Sequence, residues 1–226
     1  MSGTGVRRPR WRGRSASSSR WLQRQHRDPL VRRAKEQGYR ARSVYKLEEI
    51  DRRFRLLRRG ATVLDLGAAP GSWSQYAAGR GCRVVAVDLL PMRSVEGVRF
   101  LRGDFLEEKT RARLHRMLGG GCDLVLSDLA PDATGRRTVD RLRAEAAAEA
   151  VLAFASSVLR PGGALVLKLL HGADTLVTGM ARPLFGRCKL VRPAATRSGS
   201  TEIYLVGLDF RGGPAGAETG GEGNGG

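Results

Sequence analysis

The stretch Asp65-Leu66-Gly67-Ala68-Ala69-Pro70-Gly71-Ser72-Trp73 decides how this chain is read. It follows a short apolar run, Ala61 to Leu66, and leads into a helix expected after Pro70. Glycines at such a strand-to-helix turn let the backbone come close to a ligand. A dinucleotide fold would favour G-x-G-x-x-G, with a pyrophosphate resting on the helix start. Here Ala69 and Pro70 break that spacing, and an acid, Asp65, precedes the turn. An acid beside the ligand suits a cationic, amino-acid-bearing molecule better than a diphosphate. S-adenosylmethionine is such a molecule.

Further apolar runs follow at Arg83–Asp88, Val98–Leu101, Asp123–Ser127, Ala164–Leu169, Cys188–Val191 and Glu202–Leu208. They are short and separated by turn residues, as strands are. A long Ala-rich helix is expected over Val139–Leu159, and Pro161-Gly162-Gly163 reads as a turn. Ahead of the first strand, one helix is expected from Pro29 and another over Ala41–Arg58. Strands alternating with helices predict an α/β fold with a mostly parallel seven-stranded sheet flanked by helices. No long helix is evident between the last two strands, so one edge is expected to be antiparallel.

Two more acids stand at strand ends. Asp88 closes the second strand, where doubly wound folds hydrogen-bond ribose hydroxyls. Gly103-Asp104-Phe105 follows the third, where the carboxylate can accept from an adenine amino group while the aromatic neighbour packs on the ring. A set of four, Lys46, Asp128, Lys168 and Glu202, suggests chemistry. Lys168 interrupts the buried run Ala164-Leu165-Val166-Leu167, and a lysine there is costly unless paired with acids. Asp128 and Glu202 are its expected partners. Methyl transfer to a hydroxyl needs that hydroxyl oriented and its proton removed. A lysine made neutral by burial and by Lys46 could accept the proton. Arginine could not, because it stays protonated.

Composition narrows the class of partner. The chain has 226 residues, with 40 Lys and Arg against 22 Asp and Glu, a net charge of +18. Only five of the basic residues are lysine: Lys35, Lys46, Lys109, Lys168 and Lys189. Residues 1–60 hold 19 basic residues and five acids, a net of +14, and the remaining 166 residues only +4. A charge so localised points to a polyanion such as RNA. No apolar run reaches the roughly 18 residues of a membrane span. Three scattered cysteines and three scattered histidines form no metal-ligand spacing, so no metal is expected. The sparse cysteines suit a reducing compartment.

These stretches together resemble the FtsJ-like (RlmE) family of ribosomal RNA 2′-O-ribose methyltransferases. The resemblance runs roughly from Ser19 to Gly207. It rests on Arg20–Gln25, Gly38-Tyr39-Arg40-Ala41-Arg42-Ser43 with Lys46-Leu47, the Asp65–Gln75 loop and Asp88-Leu89-Leu90-Pro91-Met92. Gly103-Asp104-Phe105, Ser127-Asp128 with Ala130-Pro131, and Ser200–Leu205 complete it. It implies a Rossmann-like methyltransferase fold using S-adenosylmethionine. It further implies a Lys-Asp-Lys-Glu tetrad at Lys46, Asp128, Lys168 and Glu202, with Lys168 the proton acceptor. Cofactor contacts carry over to Gly71, Trp73, Asp88, Asp104 and Asp128. The implied substrate is a uridine of large-subunit rRNA. Family members acting on tRNA or mitochondrial rRNA, and a non-catalytic RNA-binding assembly factor, are the alternatives. Three departures stand out: Ser72 for a usual glycine, Asp132 for asparagine, and Leu170-His171 for an aromatic-Gln pair.

The expected organisation is a basic, disordered arm over 1–27 and a single methyltransferase domain over 28–211. Residues 28–60 form its helical RNA-binding extension, and 212–226, with eight glycines in 15 residues, a disordered tail. The arm also reads as a transit segment, which would place the protein in mitochondria. A cytoplasmic monomer without a membrane is the main expectation.

Overall fold

The computed structural model describes residues 28–212 apart from Ala130, Asp132, Ala133, His171 and Ser198. The expected arm over 1–27, the tail beyond 212, and the departures at Asp132 and His171 lie outside the described residues.

Two helices come first. Helix α1 (Pro29–Glu36) starts on Asp28, whose side chain accepts from the Leu30 amide at 3.0 Å, with proline in the first turn. Helix α2 (Val44–Phe54) is shorter than the expected Ala41–Arg58. Arg55 adopts a left-handed conformation (φ 55) and ends it. The buried Asp51 carboxylate then accepts from the Leu57 amide at 2.8 Å and turns the chain toward the sheet.

The sheet is built from β1 (Thr62–Leu66), β2 (Arg83–Asp88), β3 (Val98–Arg102), β4 (Cys122–Ser127), β5 (Leu159–Leu170), β6 (Phe185–Val191) and β7 (Glu202–Phe210). The connecting helices are α3 (Ser72–Gly79), α4 (Glu108–Leu118), α5 (Arg137–Val158) and α6 (Asp174–Ala181). The strand order is β3-β2-β1-β4-β5-β7-β6. All described neighbours pair in parallel except β7, which runs against both β5 and β6. The reversed strand is therefore inserted between the two, with β6 at the edge. The expected turn at Pro161–Gly163 is a bulge within β5. Cys122 pairs with Leu159 but Leu124 with Ala164, so four residues of β5 face only Asp123. Helices α4 and α6 are not evident in the sequence. Each buries a thin stripe, Thr110, Leu114 and Leu118 in one and Val177 and Ala181 in the other.

Strand alternation gives the sheet two unlike faces. One side carries Val63, Val84, Leu124, Leu126, Val166 and Val206, packed under Leu47 and Ile50 of α2 and Trp73 and Ala77 of α3. The other carries Leu64, Val85, Val125, Leu165, Leu167 and Leu205, packed under α4, α5 and α6. At about 0.8 kcal/mol per buried methylene, these two layers supply most of the drive to fold.

Candidate active site

The strand registers place the candidate residues without further assumption. Leu66 pairs with both Val87 and Ser127, and Ser127 with Leu167. One step further along each chain, Asp88, Gly67, Asp128 and Lys168 form a row at the carboxyl ends of the parallel strands. Lys168 then pairs with Tyr204 of β7. Open α/β sheets bind ligands outside this edge. By strand parity Asp88, Asp128, Lys168, Tyr204 and Glu202 all belong to the face that α2 and α3 cover.

The loop after β1 is a backbone cradle. The amides of Gly67 and Ala68 donate to the Val87 carbonyl at 2.9 and 3.1 Å. The Ala69 amide donates to Asp88 Oδ2 at 2.8 Å, and the Leu90 amide to Oδ1 at 2.7 Å. Asp88 thus braces the loops on both sides of it and keeps spare lone pairs for a hydroxyl. Gly67 and Gly71 have φ +75 and +102, and a Cβ on either would strike Leu129 or Met92 at 2.3 or 2.6 Å. Only glycine fits.

Two expectations here are corrected. Asp65 is not beside a ligand. It is 1% exposed beneath the loop and accepts from Ser74 Oγ at 2.6 Å. Burial pushes its carboxyl up to about 7, so it is a near-neutral tie between β1 and α3. Phe105 does not offer its ring beside Asp104. The ring is buried in the opposite core, 6.2 Å from that of Phe154. The apolar surface that does flank Asp88 and Asp104 comes from the exposed Leu89, Leu90 and Leu106. Asp104 itself is half-buried and accepts from the Leu106 amide through Oδ1 at 2.9 Å. Trp73 is buried, donating from Nε1 to the Ser43 carbonyl at 2.8 Å and packing on Tyr204. Its ring is thereby committed to the start of α2 and to β7.

The four chemically suggestive residues meet, but not as the sequence suggested. Lys168 Nζ lies 3.1 Å from Asp128 Oδ1 and donates to the Asp128 carbonyl at 2.8 Å. Glu202 instead pairs with Lys46, at 2.5 Å. The expected Lys168–Glu202 pair is therefore replaced by two pairs side by side. The register explains this: Glu202 faces Leu170, one pleat beyond Lys168, within reach of α2. All four side chains are between 9% and 20% exposed, so each charge is largely desolvated and needs its partner.

Sequence reasoning missed two members of the site. Tyr204 donates from its hydroxyl to Asp128 Oδ1 at 2.7 Å, and its ring lies 5.7 Å from Lys46 Nζ. Burial and Asp128 raise its phenol, so it stays a donor. Its signal was its place two residues after Glu202, on the same face. Arg40 reaches from the loop between α1 and α2 to the carbonyls of Pro70 (3.1 Å), Arg93 (2.7 Å) and Ser94 (2.6 Å). It clamps the cradle to the loop after β2 and ties both to the basic extension.

A glycine cradle after β1, acids at the ends of β2 and β3, and a reversed seventh strand beside β5 define a methyltransferase of the Rossmann-like class. The sequence profile of the FtsJ-like methyltransferases matches residues 39–210, and the chain belongs to that family. "Ribosomal RNA large subunit methyltransferase E" of Rhodopseudomonas palustris (strain TIE-1) is 50% identical over 208 residues, 88% of this chain and 87% of the relative. The protein of the same name from Afipia carboxidovorans is 45% identical over 88% of this chain and 92% of its own. Among solved structures, a ribosomal RNA methyltransferase from Plasmodium falciparum superposes with a TM-score of 0.70 at 25% identity, covering 77% of this chain and 100% of that one. The fibrillarin pre-rRNA processing protein of Methanococcus jannaschii shares the fold, with a TM-score of 0.52 at 16% identity over 70% of each chain.

Proposed function

We propose that this chain transfers a methyl group from S-adenosylmethionine to the ribose 2′-hydroxyl of a uridine in large-subunit rRNA. The observation that carries the reading is the paired placement of Lys168 with Asp128 and Lys46 with Glu202 beside the glycine cradle. Relatives at 45–50% identity, named as large-subunit rRNA methyltransferases, support the substrate.

The cradle fits the proposed cofactor. Glycines 67 and 71 let the loop take positive-φ turns (+75 and +102) and pack directly against Leu129 and Met92. Asp88 and Asp104 offer acceptors for ribose hydroxyls and an adenine amine, with Leu89, Leu90 and Leu106 as apolar cover. Asp128 suits the cationic amino-acid end. The Arg40 guanidinium, which reaches the loop, is committed to three carbonyls and offers no phosphate clamp. Bound there, S-adenosylmethionine supplies an electrophilic methyl group on a positive sulfonium.

The remaining work falls to the side chains. Lys168 Nζ has three hydrogen positions, and Asp128 occupies two of them through its carboxylate and carbonyl. The third direction is left for a hydroxyl. With that third proton lost to solvent, the neutral amine takes the hydroxyl proton as the oxygen–methyl bond forms and the methyl–sulfur bond breaks, its electron pair staying on sulfur, and Asp128 stabilises the resulting ammonium. Tyr204 holds Asp128 in that orientation. Lys46 and Glu202 form the neighbouring wall, where Lys46 can donate to the ribose or its phosphate. The 2′-hydroxyl, present in RNA and not in DNA, is the group such a site selects. The basic extension over 28–60 docks the RNA, and the protein acts as a monomer in the cytoplasm.

The reading is tested by incubating the protein and methyl-labelled S-adenosylmethionine with purified large subunits, small subunits, free rRNA and tRNA. The expected product is one alkali-resistant, 2′-O-methylated uridine in large-subunit rRNA. Label on a base, or on tRNA alone, overturns it.

A further inference from the structure

The first 60 residues hold most of the net charge, yet a second basic feature lies on the far side of the sheet. The segment from Val98 to Leu118, β3 and α4, carries six Lys or Arg against three acids. Three of those arginines, Arg99, Arg113 and Arg116, line an open recess of about 400 Å³ with Phe100, Leu101 and Met117. All three are exposed, and no acid lines the recess. Some other surface arginines are neutralised by an acid: Arg32 by Glu36, Arg141 by Glu145, Arg160 by Asp123 and Arg187 by Asp209. Among the described residues, none of these three arginines forms an ion pair.

The arrangement is unfavourable for the protein alone. Arg113 and Arg116 stand three apart on α4, where side chains are neighbours and like charges repel. Arg99 reaches the same recess from β3, held by donation from Nη1 to the Met117 carbonyl at 3.1 Å. That bond fixes one guanidinium edge and leaves the rest of the fork for an external acceptor. Guanidinium forks match phosphate oxygens in pairs. An exposed edge strand explains one basic side chain as protection against strand pairing, but not three converging on one recess.

From these observations we infer that the Arg99–Arg113–Arg116 recess is a second docking point for RNA phosphates, separate from the catalytic edge. This rests on the reading of the substrate as rRNA. Strand β3 stands three places from β4 in the sheet, roughly 14 Å at the spacing of paired strands. Arg99 also sits three residues below the carboxyl edge, about 10 Å along the strand. The recess therefore holds a part of the RNA other than the nucleotide being methylated. It adds affinity and orientation and leaves the chemical step alone.

The test compares the full-length wild type with R113A/R116A, two exposed positions of α4 clear of the core. Binding to purified large subunits is measured across a salt series, beside steady-state methylation. We expect about tenfold weaker binding, a salt slope shallower by about two charges, a raised KM for subunits and an unchanged kcat. R113K/R116K, which keeps the charges, should retain the slope. Unchanged affinity and slope in R113A/R116A overturn the proposal, as does weaker binding at an unaltered slope, which would indicate a protein contact. The binding arm requires no turnover. Should the wild type fail to methylate rRNA, the substrate reading falls while the recess is still judged by the salt series. If R113A/R116A unfolds, R113Q/R116Q, which removes the charges and keeps side-chain length, is read by the same salt series, an unchanged affinity and slope overturning the proposal.

Discussion

The two faces of this sheet have the same strands and opposite contents. Under α4, α5 and α6 the strands present Leu64, Leu66, Val85, Val87, Val125, Leu165, Leu167 and Leu169, all apolar and buried. Under α2 and α3 the same strands present Asp65, Asp88, Asp128, Lys168, Tyr204 and Glu202 among their hydrophobics. A one-residue shift in a strand exchanges the two sets. Apart from Asp65, which is sealed beneath the loop, the charged set lies at the carboxyl ends of the parallel strands, the edge at which such sheets bind ligands. The apolar face answers for stability and the mixed face for chemistry. Substitutions should divide accordingly.

The largest effect belongs to Lys168. Lys168→Arg keeps the charge opposite Asp128 but cannot accept a proton, and should cost about 10³-fold or more in single-turnover methylation. Chemical denaturation should show little change in stability. An active Lys168→Arg protein would break the assignment of this face to proton transfer.

Asp65 is the one charged-face residue predicted to act on stability. Its carboxyl sits at about 7 in the fold and near 3.8 when unfolded, so the folded chain binds more protons between those values. Stability therefore falls as pH rises from about 4 to about 7, by up to about 4 kcal/mol from this group. Asp65→Asn should remove that slope in denaturation curves recorded across the range, since asparagine can still accept from Ser74. A slope that survives the substitution would show that other groups carry it.

On the apolar face, Leu165→Ala should cost about 3 kcal/mol of unfolding free energy, because Leu165 is fully buried between α5 and β7. Turnover at a temperature where the variant stays folded should be near wild type. A loss of kcat there would mean the faces are not separable. The smallest effect is expected from Arg40→Ala. Its three exposed hydrogen bonds are together worth about 1 kcal/mol, which predicts about a fivefold rise in KM for S-adenosylmethionine with kcat nearly unchanged. A fall in kcat alone would place Arg40 in the chemical step.

Much of this layout is legible along the chain. The apolar runs mark every strand, with β2 matched end to end, because parallel strands buried on both faces are nearly continuous in hydrophobic residues. Helices α4 and α6 escaped notice since each buries only two or three side chains per stripe, too few for a periodic signal. Lys168 stands out because it breaks an apolar run, and Asp88, Asp104 and Asp128 because they close or follow strands. Tyr204 and Arg40 do not, as an aromatic in a strand and an arginine in an arginine-rich segment break nothing.

The sequence by itself determined the fold class, the glycine turn after the first strand and the one lysine, Lys168, that is out of place in an apolar run. Local pattern suffices for these, since burial and turn chemistry act over a few residues. Which lysine meets which acid was decided only in three dimensions. Lys46 and Glu202 are 156 positions apart, and their contact depends on the register of β7 against β5 and on how α2 lies over it. The same packing turned Phe105 into the opposite core and sank Asp65 below the loop. Partner choice, burial and the resulting charge state are properties of the assembled layers, and no neighbouring residue in the chain encodes them.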